Sequence, residues 1–176
     1  MKIALIQQSA SDNIPANLKK GLFSAKEAAL NGANNICFAE LALTKFYPQN
    51  PSDNNNVELA ETIPGTTTKL FSKLAKEFGV VIILNLFDKD GEKTYDSSLI
   101  INLDGNILGI TRMVHITDFT CFHEKGYYDP ATMVLLFMIQ NLEKLALPFV
   151  TTKITLNICV RLHLKVQQLF LFRKQE

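Results

Sequence analysis

The chain has 176 residues, 47% of them hydrophobic and 20% charged, and a formal net charge of +1. These values fit one globular domain with a sizeable core and exclude a disordered or fibrous chain. A charge balance so near zero gives no reason to expect a nucleic-acid partner, because a phosphate-binding surface needs Lys and Arg clustered on one face.

In chain order, Lys2 to Gln7 reads as a strand. Leu18, Leu22, Ala25 and Ala29 then fall on one face of a helix that stops at Asn31-Gly32. The apolar run Ile36 to Ala39 is a second strand that delivers Glu40 at its C-terminal end. A second helix is expected over Thr67 to Phe78, with Leu70, Phe71, Leu74 and Phe78 inward, followed by a buried strand from Val80 to Leu84. Asp90-Gly91 and Asp104-Gly105 separate the strand-like runs Ile83 to Phe87, Ser97 to Asn102 and Ile107 to Thr111, as hairpin turns with positive φ do. The order β-α-β-α-β-β-β predicts an α/β domain with a mixed sheet and helices on a face.

The character changes at about residue 131. All eight glycines and all eight aspartates precede it, although the remaining stretch would carry about three glycines at average usage. Residues 131–176 hold six Lys or Arg against Glu143 and Glu176, whereas residues 1–130 hold twelve basic and fifteen acidic groups. Leu162, Val166 and Leu169 could share the face of a basic amphipathic helix. The apolar window Met133 to Val150 is broken by Asn141, Glu143 and Lys144, so no membrane span is expected.

Cys37, Cys121 and Cys159 are odd in number and widely spaced, which indicates neither a disulfide framework nor a zinc site. With no secretory leader after Met1-Lys2, a reducing cytoplasm fits this usage. No GxGxxG follows a strand and no GxxxxGK[ST] occurs, which disfavours an ordinary nucleotide binder.

Several segments resemble the nitrilase superfamily of carbon-nitrogen hydrolases, with the N-carbamoylputrescine amidase and aliphatic amidase branches nearest. They are Met1 to Gln8, Ala33 to Glu40, Ile63-Pro64-Gly65, Leu70 to Leu84, Tyr95-Asp96-Ser97-Ser98 and Asp104 to Gly109, in matching order and spacing. The resemblance implies a four-layer αββα sandwich, of which residues 1–130 supply about the first half. It also implies hydrolysis of a small linear amide or N-carbamoyl amine through a thioester, with no metal or cofactor, in a homo-oligomer.

By resemblance, Glu40 is the general base, although position alone would favour an acid that caps a loop. Glu124, in His123-Glu124-Lys125-Gly126-Tyr127-Tyr128, corresponds to the family's second glutamate, which lies near the site and supports and orients the residues that act there. The family lysine belongs in an Arg-Lys-x-His-Ile motif that here reads Arg112-Met113-Val114-His115-Ile116, so Met113 occupies its position. Methionine supplies no ammonium to an oxyanion, which leaves as alternatives backbone donors, another cation such as Arg112 or Lys125, or an impaired oxyanion site, with His115 in a supporting role. The nucleophilic cysteine is missing: Cys159 matches the family's Ile-Cys only, Cys37 precedes Glu40 on the same strand, and Cys121 is at no nucleophile position.

The genetic code gives an account of the tail. When each residue is read again from the third base of one codon and the first two of the next, Met133-Val134 forces a glycine and Met138-Ile139 forces an aspartate. The remaining junctions permit GDNGFAVYDTKFGKIGVAICYD from Pro130 to Thr152, with the catalytic cysteine spanning the codons of Phe149 and Val150. Residues 131–176 are therefore expected to be out-of-frame translation and the chain to be inactive. Half a sandwich would leave strand edges uncovered and the chain prone to aggregation. The alternative is a non-catalytic interaction protein with a basic helical docking segment at its C-terminal end.

Overall fold

The computed structural model describes residues 1–53, 56–131, 137–140, 143–146 and 168–173. Strands β1 (Lys2–Gln7), β2 (Asn35–Phe38), β3 (Val81–Asp90), β4 (Lys93–Ile101) and β5 (Ile107–Arg112) alternate with helices α1 (Ile14–Leu30) and α2 (Thr66–Phe78) in the order expected. Short ladders follow, β6 (Asp118–Phe119) with β7 (Phe122–His123) and β8 (Phe137–Gln140) with β9 (Glu143–Ala146). Strand β10 (Gln168–Arg173) completes the main sheet, whose order is β10-β1-β2-β3-β4-β5.

The pairing follows from the connections. Helical crossovers make β1, β2 and β3 parallel, whereas tight turns make β3-β4 and β4-β5 antiparallel. At the second turn Gly105 has φ +86°, and a Cβ there would stand 2.7 Å from the Ser72 carbonyl of α2. A side chain would fit neither the backbone angle nor the space.

Local capping sets the helix ends. The Asn13 side chain accepts the Ala16 N–H at 3.0 Å and Pro15 occupies the first turn of α1. Glu61 accepts the Thr67 N–H at 2.8 Å to start α2, which ends at Gly79 in the left-handed conformation.

Both helices cover one face of the sheet. Ala25 and Ala28 of α1 and Phe71, Leu74 and Ala75 of α2 pack with Ala4, Ile6, Ile36, Phe38, Ile82, Leu84, Leu99 and Ile101. The Phe71 ring, fully buried, meets Phe38 edge-on at 5.2 Å, and burial of such a ring stabilises by about 2–3 kcal/mol. Leu70, expected to face inward, is 39% exposed, and Thr68 and Ala75 share the buried stripe instead.

The opposite face carries a second apolar cluster, Val81, Ile83 and Ile100, with Cys37 and Leu108 against it. Because successive strand residues alternate between faces, Asn85 and Phe87 of β3 and Asp96 and Ser98 of β4 continue this second face. The chain thus shows one helical and one sheet layer of the expected sandwich.

Two findings bear on the tail. Strand β10 pairs along β1 in parallel from Lys2↔Gln168 to Gln7↔Arg173, so the edges of the described sheet are β10 and β5. Leu169 lies in that strand and not in a helix. Leu162 and Val166 are outside the described residues, as is Cys159. Among the described residues no helix is long and apolar enough to cross a membrane.

Candidate active site

Glu40 leaves the end of β2 into a turn on the second sheet face, and the next residue, Leu41, has φ +48°. A non-glycine side chain in that region is strained and needs outside support. The Asn85 amide gives it: Asn85 Oδ1 accepts the Leu41 N–H at 2.8 Å. Through Nδ2 the same amide donates to Asp96 Oδ1 and, at 3.3 Å, to Ser98 Oγ. An asparagine in the middle of a buried strand therefore fixes the chain direction just after Glu40 and one oxygen of Asp96.

Three carboxyls converge here. Asp96 is fully buried, and Glu40 and Glu124 stand near enough to act on it and on each other. Burial raises the Glu40 carboxyl, opposed by the hydrogen bond from Asp96 and aided by the Glu124 charge. Asp96 is pushed up to about 8, first by burial and then by the Glu40 charge.

Glu124 reaches the site from the turn after β7 and is buried. Its Oε2 accepts the Thr117 N–H at 3.2 Å and the Thr117 hydroxyl at 2.8 Å. The turn is sewn to the start of β4, where Thr94 Oγ1 donates to the Tyr127 carbonyl at 2.6 Å and the Asp129 N–H donates to the Thr94 carbonyl at 2.7 Å. Tyr47 and Tyr128 bring their hydroxyls within 2.7 Å, and burial holds both phenols well above their usual range.

Met113 and Arg112 part company at the end of β5. The Met113 N–H donates to the Asp96 carbonyl at 2.9 Å, and its buried side chain belongs to the site face. Arg112 turns to the helical face, where Nη2 lies 2.7 Å and Nε 2.9 Å from Asp88 Oδ2 and Nη1 lies 2.9 Å from Asp90 Oδ2. Its guanidinium also stacks over Tyr95. The structure does not bring Arg112 to Glu40, so the candidate oxyanion cation suggested by its motif is occupied elsewhere.

His115 is exposed and lines an open cavity of about 460 Å³ with Val114, Ile116, Lys125, Tyr128 and Pro130. The two described thiols are no better placed for attack. Cys37 packs in the sheet, where burial raises its thiol and keeps it protonated. Cys121 is exposed in the tight turn between β6 and β7, at φ +66°.

The model of the carbon-nitrogen hydrolase family matches residues 2–175. The chain belongs to the carbon-nitrogen hydrolase family.

Within this family it is 33% identical over 133 residues to a citrullinase from Francisella tularensis subsp. tularensis, covering 75% of this chain and 46% of that protein. It is 33% identical over 128 residues to N-carbamoylputrescine amidase from Arabidopsis thaliana, covering 73% and 43%. The solved carbon-nitrogen hydrolase from Helicobacter pylori G27 superposes with a TM-score of 0.73 at 25% identity, over 81% of this chain and 49% of that one. The chain spans less than half the length of these curated relatives.

Of the site residues expected from the sequence, Glu40 and Glu124 come together, Arg112 points away and His115 is exposed beside the cavity. Asp96 and Asn85 were not assigned roles there. Their signal was a polar residue inside each of two runs that the structure shows to be buried strand, Ile-Leu-Asn85-Leu-Phe and Tyr-Asp96-Ser-Ser.

Proposed function

We propose that this chain carries the acid half of an amidase site for a small linear amide or N-carbamoyl amine, and that as written it does not turn over. The convergence of Glu40, Asp96 and Glu124 beside the strained Leu41 elbow supports that reading. In the complete reaction a cysteine sulfur attacks the carbonyl carbon while Glu40 accepts the thiol proton. The tetrahedral intermediate collapses, the C–N bond breaks, and Glu40 returns the proton to the departing amine. Water, deprotonated by Glu40, then releases the acid and the free thiol from the thioester. Glu124 holds the site in shape, and backbone N–H groups or Lys125 would serve the oxyanion in place of an ammonium at Met113.

The nucleophile belongs to the frame abandoned near codon 131. Restoring that frame should yield a chain that releases ammonia from N-carbamoylputrescine or citrulline, the compounds that the relatives' names point to. The chain as written should release none. Turnover by the chain as written, abolished by replacing Cys37 or Cys121, would overturn this.

A second reading keeps residues 131–176 in frame as part of a non-catalytic interaction protein. It is favoured by the pairing of β10 along β1 and by the family match that runs to residue 175. It requires an uninterrupted reading frame and a stable fold without turnover, so the nucleotide sequence around codon 131 separates the two.

A further inference from the structure

Asp96 has two oxygens with unequal surroundings. Oδ1 takes the Asn85 amide, whereas Oδ2 is buried and receives no N–H or O–H from the described residues. The Glu40 carboxyl lies in hydrogen-bonding range of Asp96. Two ionised carboxylates present only acceptors to each other, so the contact is a bond only if one of them carries a proton.

The surroundings select which one. Asp96 has no exposed surface, while Glu40 faces solvent on one side. A single negative charge therefore rests on Glu40 and the proton on Asp96, since burying the charge costs more. Among the described side chains of the sheet, no cation relieves the pair. Arg112 of β5 is on the far face with Asp88 and Asp90, and Met113, buried on the face of the pair, carries no charge. The other groups facing it are Glu124 from the turn after β7, and the Tyr47 and Tyr128 hydroxyls, which are neutral at physiological pH. Lys125 and His115 lie along the cavity that Tyr128 also lines.

We propose that Asp96 is the positioning acid of Glu40: the two carboxyls hold one proton, borne on Asp96 Oδ2 and donated to the Glu40 carboxylate, which stays ionised and fixed in direction. This rests on the reading of Glu40 as the base, and it gives Asp96 a role through Glu40 and not on the substrate. Asn85 supports both ends, holding the Leu41 elbow with Oδ1 and the far oxygen of Asp96 with Nδ2. A proton on Asp96 satisfies its orphan oxygen and spares the site a pair of adjacent charges.

The test is a carboxyl ¹³C NMR pH titration of the full chain labelled at Asp and Glu, with Glu40→Gln, Asp96→Asn and Glu124→Gln for assignment. Asp96 should titrate at about 8 in the wild type. In Glu40→Gln its midpoint should fall by ~1 unit or more, because a strongly interacting partner has lost its charge. An Asp96 midpoint unchanged by Glu40→Gln would reduce Asp96 to a merely buried acid, and ordinary midpoints for both groups in the wild type would equally overturn the proposal. Glu40 is solvent-facing, so this variant keeps the fold and carries the test even if Asp96→Asn does not fold. The titration needs no turnover. An inactive frame-restored chain with the shared proton intact would sink the base role of Glu40 and leave the pair standing.

Discussion

Asn85 Oδ1 accepts the Leu41 N–H at 2.8 Å, tying the middle of β3 to the residue after Glu40. Removing the amide with Asn85→Ala leaves a buried N–H without an acceptor and Asp96 Oδ1 without a donor, next to a backbone already strained at φ +48°. A buried polar group left unpaired costs about 1–3 kcal/mol. Urea denaturation of the variant should show a loss in that range, and a loss under ~0.5 kcal/mol would mean that water replaces the amide.

Arg112→Ala tests whether this side chain serves structure or chemistry. Asp88 is buried and depends on Arg112 and the Ser97 hydroxyl, the latter at 3.0 Å. Breaking a buried ion pair from one side costs about 3–5 kcal/mol, and here toward the low end because Arg112 is partly exposed. The variant should lose about 3 kcal/mol or fail to fold. A stable Arg112→Ala chain would show that Ser97 and water satisfy Asp88 without the guanidinium.

The fold was legible wherever apolar periodicity and turn residues agreed. The β1 range matches the structure residue for residue, and α2 differs by one residue at its start. Polar burial defeated the pattern elsewhere. Strand β4 begins at Lys93, four residues before the Ser97 expected, because Thr94 and Asp96 are buried polar groups that read as loop in sequence. Their burial depends on partners distant in sequence, Asn85 for Asp96 and the Tyr127 carbonyl for Thr94, which local patterning does not reveal. The same holds for the site. Glu40 and Glu124 stood out through family motifs, whereas Arg112 lost its expected place to strand alternation, which sends neighbouring residues to opposite faces.

Met113→Lys places an ammonium on the face that holds Asp96, whose carbonyl already accepts the Met113 N–H at 2.9 Å. A nearby positive charge favours the ionised forms of acids, so the Asp96 midpoint of about 8 should fall. Carboxyl ¹³C NMR on the variant checks the direction. A midpoint that stays or rises would show that the lysine snorkels away from the acids.

Stability should decline as pH rises from about 4 to about 8. Asp96 has its midpoint raised from 3.8 to about 8 on folding, so the folded chain binds more protons than the unfolded chain between these values. The stabilising contribution is complete below the unfolded midpoint, is lost as pH climbs through the folded one, and changes little above it. For one group the slope cannot exceed about 1.4 kcal/mol per pH unit. Glu40, also raised, adds to the slope in the same direction, and the joint effect should be smaller than two independent groups would give because they interact. Urea melts from pH 4.5 to 8.5 should trace this decline in the wild type and a flatter profile in Asp96→Asn. A wild-type stability that rises across that range would mean that Asp96 ionises as readily in the fold as out of it, and the neutral buried acid would have to be abandoned.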